Sequence, residues 1–209
     1  MSQSPRPHAL WLGRQPLVLA SQSRIRRALL EAADIPVEVV VSNLDERAIE
    51  AAAGADDPGA VAALLARSKA LAVAAQCPGR LVVGADQTLA LGRQRFTKPA
   101  DAAAARRQLE ALAGQRHELH SAVAVARDGQ VVFAEADVAR LTMRRLSHDF
   151  IDRYLLAAGA SVGHSVGGYQ LESLGIQLFE RIDGDHFTIL GLPLLPLLAC
   201  LRREGLLPA

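Results

Sequence analysis

The chain of 209 residues carries 23 basic and 22 acidic side chains, which leaves a formal net charge of +1. A protein that binds nucleic acid mainly through charge has a clear basic excess, so this balance argues against nucleic acid as a partner. Hydrophobic residues make up 50% of the chain, which is enough for a sizeable core and argues against long disordered segments. The length fits either one large domain or two lobes that share a cleft.

The termini and the cysteines of the chain indicate a cytosolic protein. Cys77 and Cys200 lie far apart and lack the spacing of metal-binding motifs, so we expect reduced thiols. Residues 1–16 lack the apolar core of a signal peptide, and we interpret them as an N-terminal tail. The apolar run 190–201 is too short to span a bilayer and is interrupted by prolines. These observations predict a cytoplasmic location and no membrane partner.

Short apolar strands alternate with helices in the first half of the chain. Serine, aspartate and proline at the predicted helix starts are typical of N-terminal caps. Each predicted strand leads into small polar or acidic side chains, and open α/β sheets bind their ligands at such strand ends. The predicted strands are 17–20, 37–41 and 81–86, and the predicted helices are 23–33, 57–75 and 101–112.

The second half of the chain indicates antiparallel pairing. Residues 120–126 and 130–143 alternate in hydrophobicity on either side of Asp128-Gly129, a dipeptide typical of hairpin turns. The two halves together predict an α/β fold with a mixed, twisted sheet and flanking helices. The remaining predicted elements are a helix over 147–158, a glycine-rich loop over 159–175, a strand over 176–182 and a helix over 192–203.

Charged side chains collect at the predicted strand ends. Asp86 follows one apolar strand, and Asp45 and Glu46 follow another. Carboxylate oxygens with lysines nearby, here Lys69 and Lys98, are what a Mg²⁺-triphosphate requires, because the metal bridges phosphate oxygens and the cations neutralise the remaining charge. Acids at strand ends also serve as turn caps, so the pattern fits both a phosphate site and a structural role.

The start of the first predicted helix is a second charged feature. A strand that leads directly into a helix capped by Ser21 or Ser23 exposes backbone N–H groups and the positive end of the helix dipole, which favour an anion. Arg26 lies in the first turns and can face the same anion. Alternatively, Arg24, Arg26 and Arg27 form a solvated helix face that binds nothing.

Two further motifs suggest other enzyme classes. Gly163-His164-Ser165-Val166-Gly167 matches the G-x-S-x-G nucleophile elbow, but that turn needs a strand before Ser165 and a helix after it, and here a helix precedes. His117 and His120 resemble part of a zinc motif, yet on a strand two side chains at this spacing point to opposite faces. We therefore expect a structural role for Ser165 and no zinc at these histidines.

Several of these segments together resemble the Maf family of nucleotide pyrophosphatases. The resemblance extends from about Leu17 to Leu201, and the motifs follow the order that the family shows. It rests on Leu19-Ala20-Ser21-Gln22-Ser23, Arg26-Arg27, Asp45-Glu46, Lys69-Ala70, Gly84-Ala85-Asp86-Gln87, Lys98-Pro99, Gly168-Tyr169, Ile182-Asp183-Gly184-Asp185 and Gly191-Leu192-Pro193-Leu194.

The resemblance implies a metal-dependent hydrolase. It implies cleavage of a nucleoside triphosphate between the α and β phosphates, which gives the monophosphate and pyrophosphate with the help of Mg²⁺, Mn²⁺ or Co²⁺. It also implies two α/β lobes around a central cleft that holds the nucleotide, and a homodimer. For this chain we therefore expect a single two-lobed Maf-like domain over residues 17–209.

The resemblance further implies roles for individual side chains. The family's proton acceptor matches Asp86, which would activate the attacking water or help to bind the metal, and Glu46 would complete the metal site. The neighbouring cations would hold the phosphates and stabilise charge on the leaving pyrophosphate. The predicted catalytic residues are Asp86, Glu46, Lys69 and Lys98, the predicted substrate-binding residues are Ser21, Arg26, Gln87 and Glu172, and the predicted metal ligands are Glu46 and Asp86.

Two positions depart from the family pattern. Arg24 stands where many members have proline, and Ser173 stands where many have glycine, near the family's base-recognition region. The Asp86-Gln87 pair and the Ser-Gln-Ser start resemble the 7-methyl-GTP-like branch rather than the branch for dTTP and UTP, which has Asp-Thr. The family has also been associated with cell-division arrest, so a non-enzymatic regulatory role is the rival hypothesis.

Overall fold

The computed structural model describes residues 8–54 and 56–209, which form a seven-stranded sheet with flanking helices. None of the helices in these two ranges is long and apolar enough to cross a membrane. The strands are β1 (Leu17–Leu19), β2 (Val37–Val39), β3 (Val82–Leu91), β4 (Gln94–Phe96), β5 (Arg116–Arg127), β6 (Gln130–Met143) and β7 (Phe179–Asp183). The helices are α1 (Arg24–Ala32), α2 (Glu46–Ala53), α3 (Pro58–Ala74), α4 (Ala102–Leu112), α5 (His148–Ala158), α6 (His186–Ile189) and α7 (Leu194–Arg203).

The sheet is mixed, which confirms the predicted fold class. Its order is β2-β1-β3-β5-β6-β7, and β4 is added beside β3. β1 runs parallel to both β2 and β3, whereas β3, β5, β6 and β7 pair antiparallel with their neighbours in this order. Asp128 and Gly129 join β5 to β6, and both have the positive φ that a tight two-residue hairpin turn requires.

A gap along one edge of β3 decides where the candidate site lies. β5 pairs with one edge of β3 from Val82 to Ala90. The opposite edge is shared, because β1 pairs only with Val82 and Val83 and β4 pairs only with Leu89–Leu91. Within the described part of the chain, residues 84–88 therefore have no neighbouring strand on that side, and a cleft opens there.

Separate hydrophobic cores lie on the two sides of this cleft. One lobe contains β1, β2, α1 and α7, and its core includes Leu19, Leu30 and Leu197. The other lobe contains β4, α4 and α5, and its core includes Leu109 and Ile151. Strands β3, β5 and β6 contribute side chains to both cores, so they join the two lobes into one body.

Helix α3 lies close to β3 because Gly84 has no side chain. A Cβ atom at Gly84 would lie 2.2 Å from the carbonyl oxygen of Ala66 and 2.6 Å from the amide nitrogen of Ala70. The side of α3 that faces the sheet is lined by small buried residues, among them Ala62. Lys69 lies on the same helix, so this close contact brings its side chain to the sheet.

Three strands differ by three or more residues from the sequence-based predictions. β5 begins at Arg116 rather than at residue 120. β3 continues to Leu91 rather than ending at Asp86, because β5 pairs with it over almost its whole length. The strand predicted over 176–182 begins at Phe179, since residues 174–178 form a 3-10 turn. Asp86 therefore lies in the middle of a strand, and the missing neighbour on one side of β3, not a strand end, exposes it to the cleft.

Helix α2 has no counterpart among the predicted elements. The sequence places Asp45 and Glu46 at the end of a strand, but β2 ends at Val39, and Asp45 caps α2 instead. The Asp45 carboxylate accepts a hydrogen bond from the Ala48 amide, which is the usual contact of an N-terminal cap. Glu46 consequently approaches the cleft from the first turn of a helix.

The predicted N-terminal tail is described only in part, since residues 1–7 lie outside the described ranges. From residue 8 onward the chain contacts the first lobe. The Leu12 amide donates to the carbonyl of Leu206, and the Trp11 side chain packs against the core of this lobe. The boundary between the tail and a domain over 17–209 stays a prediction.

Candidate active site

A cleft of about 1020 Å³ opens at the gap in β3, between the two lobes. Its walls come from the start of α1, from α2 and α3, from the loop after β4 and from the segment 163–172. The cleft brings together every side chain predicted as catalytic, substrate-binding or metal-binding, although these lie far apart along the chain. They are Ser21, Arg26, Glu46, Lys69, Asp86, Gln87, Lys98 and Glu172.

The floor of the cleft consists of one ammonium group between two carboxylates. Lys69 Nζ lies 2.6 Å from Asp86 Oδ1 and 2.9 Å from Glu46 Oε1. The side chains of Lys69 and Asp86 are only 10% and 13% exposed, whereas that of Glu46 is 46% exposed. The Lys69–Asp86 pair is therefore shielded from solvent, and Glu46 approaches it from the solvent side.

Burial and neighbouring charge act on Asp86 in opposite directions. Burial raises the pKa of its carboxyl above the ordinary value, because the ionised form loses hydration. Lys69 and Arg26 counteract this by stabilising the negative charge, while Glu46 adds to the increase. The net change in pKa is upward. A carboxylate with a raised pKa is a stronger proton acceptor, which suits a general base.

Arg26 is fixed by oxygen atoms of the backbone and of a serine. Its Nη1 donates to the Ala85 carbonyl at 2.8 Å and to Ser21 Oγ at 3.1 Å, and its Nε donates to the Gly191 carbonyl at 2.7 Å. The Ala85 carbonyl lies on the open edge of β3. Arg26 therefore donates the hydrogen bond that this carbonyl would otherwise accept from a neighbouring strand. Its positive charge thus stays next to Asp86 without a direct carboxylate contact.

Gln87 lines the cleft, but its amide nitrogen is engaged within the protein. Nε2 donates to Ser121 Oγ at 3.0 Å and to the carbonyl oxygens of Thr188 and Ile189 at 3.2 and 2.9 Å. These contacts tie β3 to β5 and to α6. The predicted substrate-binding role of Gln87 then rests on its carbonyl oxygen, which can accept a hydrogen bond from a ligand.

The rim of the cleft is largely exposed to solvent. It consists of α2, Lys98 and Glu172. Lys98 lies in the loop after β4, and Glu172 lies in the segment 163–172, which also lines the cleft. Arg24, the position that departs from the family pattern, is also exposed at the start of α1 and lines the cleft. Exposed side chains of this kind keep the freedom to adjust to a ligand.

Tyr169 anchors the segment 163–172 to the second lobe. Its hydroxyl lies 2.7 Å from His117 Nε2, and its carbonyl accepts a hydrogen bond from Ser165 Oγ. A hydrogen bond from the Tyr154 hydroxyl to the backbone holds the same segment. Ser165 lies between 3-10 turns, so it lacks the strand and helix of a nucleophile elbow, as predicted.

The two histidines of the zinc-like motif point to opposite faces of β5, as predicted. His117 is fully buried beside Tyr169 and Phe179, and burial lowers its pKa to about 4, so it is neutral at pH 7. His120 lies instead beside Glu118, with its Nε2 at 3.1 Å from the carboxylate. The two imidazoles therefore cannot share a metal ion.

A second ion pair at the cleft was not foreseen from the sequence. Glu50 Oε2 lies 2.8 Å from Arg95 Nη1, and both residues line the cleft. Glu50 follows Glu46 by one helical turn, so the two acids share a face of α2. The sequence did contain a signal for this helix, because Asp45 is a good N-terminal cap and two acids follow it at the spacing of one helical turn.

The two carboxylates beside Lys69 fit a divalent cation. Asp86 and Glu46 both approach a single cationic atom within hydrogen-bond distance, so their oxygens already converge. In the ranges 8–54 and 56–209, no group of three or more His, Cys, Asp and Glu side chains could hold a metal. Two carboxylates without further protein ligands are typical of Mg²⁺ sites that phosphate and water complete.

These features define an enzyme-like site at a split in a mixed α/β sheet. Its fixed arginine and lysine side chains suit an anionic ligand. The family described as Maf-like protein matches residues 16–204. The chain therefore belongs to the Maf family, as the motifs predicted.

Similar proteins cover nearly the whole chain. A protein of Rhodopseudomonas palustris (strain BisB5) named nucleoside triphosphate pyrophosphatase is 60% identical over 198 residues, 95% of this chain and 98% of that protein. A 7-methyl-GTP pyrophosphatase of Brucella abortus biovar 1 (strain 9-941) is 52% identical over 191 residues, 90% of this chain and 96% of that protein. The solved structure of a HAM1 protein from Coxiella burnetii is more distant, with a TM-score of 0.41 and 18% identity over 63% of this chain and 74% of that chain.

Proposed function

We propose that the protein is a nucleoside triphosphate pyrophosphatase that releases pyrophosphate and a nucleoside monophosphate in this cleft. The observation that carries the proposal is the contact of Lys69 with both Asp86 and Glu46 on the cleft floor. The cleft, at about 1020 Å³, lies at the upper end of the range for ligand pockets, roughly 300–1,000 Å³. Relatives with this activity in their name, 58% and 60% identical over 95% of the chain, support the same reaction.

Asp86 is the proposed general base. A water oxygen bonds to the α phosphorus, the bond from that phosphorus to the α–β bridging oxygen breaks, and pyrophosphate leaves with the bridging oxygen. The water's proton passes to the Asp86 carboxylate. The raised pKa of Asp86 favours this proton transfer, provided that the group is ionised when the substrate binds. Lys69 holds the carboxylate in one orientation and helps to keep it ionised.

The cations around the floor are proposed to hold the triphosphate. Arg26 is fixed in place beside Asp86, and Lys98 reaches the cleft from the rim. The first turn of α1, which Ser23 caps, adds free backbone N–H groups and the positive end of the helix dipole. These groups would neutralise the charge that develops on the departing pyrophosphate.

A divalent cation, Mg²⁺, Mn²⁺ or Co²⁺, is proposed to bind at Glu46 and Asp86. When bound to these two carboxylates, whose hard oxygen ligands select such ions, it would act as a Lewis acid that withdraws charge from the phosphate groups. Removal of the metal with a chelator should abolish pyrophosphate release, and addition of Mg²⁺ should restore it. Full turnover after exhaustive chelation would contradict this part of the proposal.

A preference for 7-methyl-GTP is the second candidate for substrate choice. The relative from Brucella abortus with that substrate in its name is 52% identical to this chain. The segment 163–172 is proposed to contact the nucleobase, because it lines the same cleft as the phosphate-binding floor and ends in the exposed side chain of Glu172. A homodimer in the cytoplasm completes the proposal, and light scattering of the purified protein tests the dimer.

Pyrophosphate release from a panel of nucleotides is the decisive experiment. The panel contains the common ribonucleoside and deoxyribonucleoside triphosphates and 7-methyl-GTP, and Asp86→Asn is the control. We expect the wild-type protein to release pyrophosphate at rates that differ among the nucleobases, and Asp86→Asn to release far less. If no nucleotide in the panel yields pyrophosphate, the enzymatic proposal is wrong and a regulatory role in cell division becomes the better hypothesis.

A further inference from the structure

Helix α2 carries Glu46 to the cleft, yet no side chain of this helix is buried. Isolated helices of fewer than about 12 residues are only marginally stable in water, because their first turn is costly to form. The cap at Asp45 satisfies one amide but does not attach the helix to either lobe. The position of Glu46 therefore depends on contacts other than hydrophobic burial.

Two ion pairs connect α2 to the walls of the cleft. Glu46 contacts Lys69 at 2.9 Å, and Glu50, one turn later on the same face, contacts Arg95 at 2.8 Å. The side chains of Glu50 and Arg95 are 29% and 32% exposed. Partial shielding makes this pair stronger than an ion pair in open solvent, whose strength water and salt reduce.

Arg95 is the fixed member of the second pair. It lies in β4 and pairs through its backbone with Ala90 of β3. The next residue, Phe96, is buried in the core of the second lobe. Arg95 is thus held by the sheet, whereas Glu50 belongs to a helix that contacts α3 but has no buried side chain. The ion pair therefore fixes the helix and not the strand.

We propose that Arg95 is a positioning residue for the reaction, which acts through Glu50. Their ion pair holds α2 against the cleft, so that the Glu46 carboxylate stays beside Lys69 and Asp86. This inference deepens the proposed function and rests on it, because it concerns the carboxylate that is proposed to bind the metal. Arg95 itself does not have to touch the nucleotide for this role.

The test compares Arg95→Gln, Glu50→Gln and the double variant with Arg93→Gln as a matched control. Arg93 lies in the turn of the same hairpin and is exposed. In the nucleotide-free protein, hydrogen exchange at amides 49–53 should be about two- to fivefold faster in both single variants, the scale of one partly exposed ion pair. The double variant should match the single ones, because both substitutions remove the same contact.

Steady-state kinetics supply the second readout. In both single variants kcat should fall by about the same two- to fivefold, while KM for the nucleotide changes by less than about twofold. Arg93→Gln should leave both constants and the exchange rates unchanged. A raised KM in Arg95→Gln that Glu50→Gln does not share would overturn the proposal, because Arg95 would then contact the phosphates directly.

The exchange measurement keeps the two proposals separate. Unchanged exchange in α2 of both single variants, with an active wild-type enzyme, shows that the ion pair does not hold the helix and overturns the inference alone. Faster exchange in the variants supports the role of the ion pair in holding α2, whether or not the protein is active. If the wild-type protein also releases no pyrophosphate, the proposed function is overturned, and with it the role of the pair in the reaction.

Discussion

The floor and the rim of the cleft are held by different kinds of contact. On the floor, Lys69 and Asp86 are buried where α3 lies against β3, and Arg26 is locked by backbone carbonyl groups. On the rim, Lys98 and Glu172 are exposed, and α2 is attached by ion pairs. The same cavity thus combines a rigid part, built from the sheet, with an adjustable part, built from loops and a short helix.

This difference assigns different tasks to the two parts. Preorganised charges stabilise a transition state without the cost of rearrangement, so the chemistry belongs on the floor. Exposed loop residues vary and adjust more easily, so the choice between nucleobases belongs on the rim. Substitutions on the floor should therefore change turnover for every nucleotide, whereas substitutions on the rim should change the ratios between nucleotides.

The largest effect is expected for Asp86→Asn. This change keeps the shape of the side chain but removes its negative charge and its basic oxygen, so turnover should fall at least ~10²-fold for all nucleotides. Nucleotide binding should survive or become tighter, since one negative charge that faces the phosphates is lost. Circular dichroism serves as the control for folding, and near-normal turnover in a folded variant would place the chemistry on another residue.

Gly84→Ala should disturb the floor of the cleft, because it forces α3 away from β3. The added methyl group would meet backbone atoms of Ala66 and Ala70 at 2.2 and 2.6 Å, and backbone cannot move aside as a flexible side chain can. Thermal or urea unfolding should show a loss of about 3 kcal/mol in the free energy of unfolding. Gly163→Ala is the matched control, since its Cβ atom would have one contact, at 3.7 Å; an equal loss in both variants would contradict the close packing of α3.

The charge balance at Asp86 can be measured directly in the metal-free protein. Burial raises the pKa of this carboxyl, so its titration, followed by carbon NMR, should have a midpoint above the ordinary aspartate value. Lys69→Met should move the midpoint further up, because Lys69 is the strongest charge that favours the ionised form. Lys98→Met should leave it unchanged. A midpoint that falls in Lys69→Met would show that the two groups do not interact as the structure indicates.

A smaller effect is expected for Glu172→Gln on the rim. We expect the ratio of kcat/KM between 7-methyl-GTP and the common triphosphates to change about two- to fivefold, the scale of one exposed polar contact. The rate that all nucleotides share should change less than this ratio. The measurement is a set of single-substrate rates for both proteins. If every nucleotide slows by the same factor, Glu172 does not contact the base.

The smallest effect is expected for Ser165→Ala. Ser165 Oγ donates to the Tyr169 carbonyl, so the change removes one hydrogen bond, worth about 1 kcal/mol of stability. Pyrophosphate release should stay within about twofold of wild type, and the wild-type protein should not hydrolyse p-nitrophenyl esters. Esterase activity that disappears in Ser165→Ala would make Ser165 a nucleophile after all.

Local signals in the sequence were sufficient to predict the mixed α/β class, most of the helices and strands, and the family. The hairpin at Asp128-Gly129 and the helix caps at Asp57 and Ser147 are short-range patterns, and the structure confirms each of them. The structure also places the predicted site residues together in one cleft. Motifs that follow the order of a family mark positions that share a site in its members. The individual roles of these residues stay predictions.

The tertiary structure alone decided how these residues meet. Asp86 is a mid-strand residue, and only the pairing of β1 and β4 to separate parts of β3 leaves its edge open. Lys69 reaches it because Gly84 lets α3 approach, and Arg95 of β4 reaches Glu50 of α2. Each of these contacts joins segments that are distant in the chain, so no periodicity or capping signal within one segment could specify it.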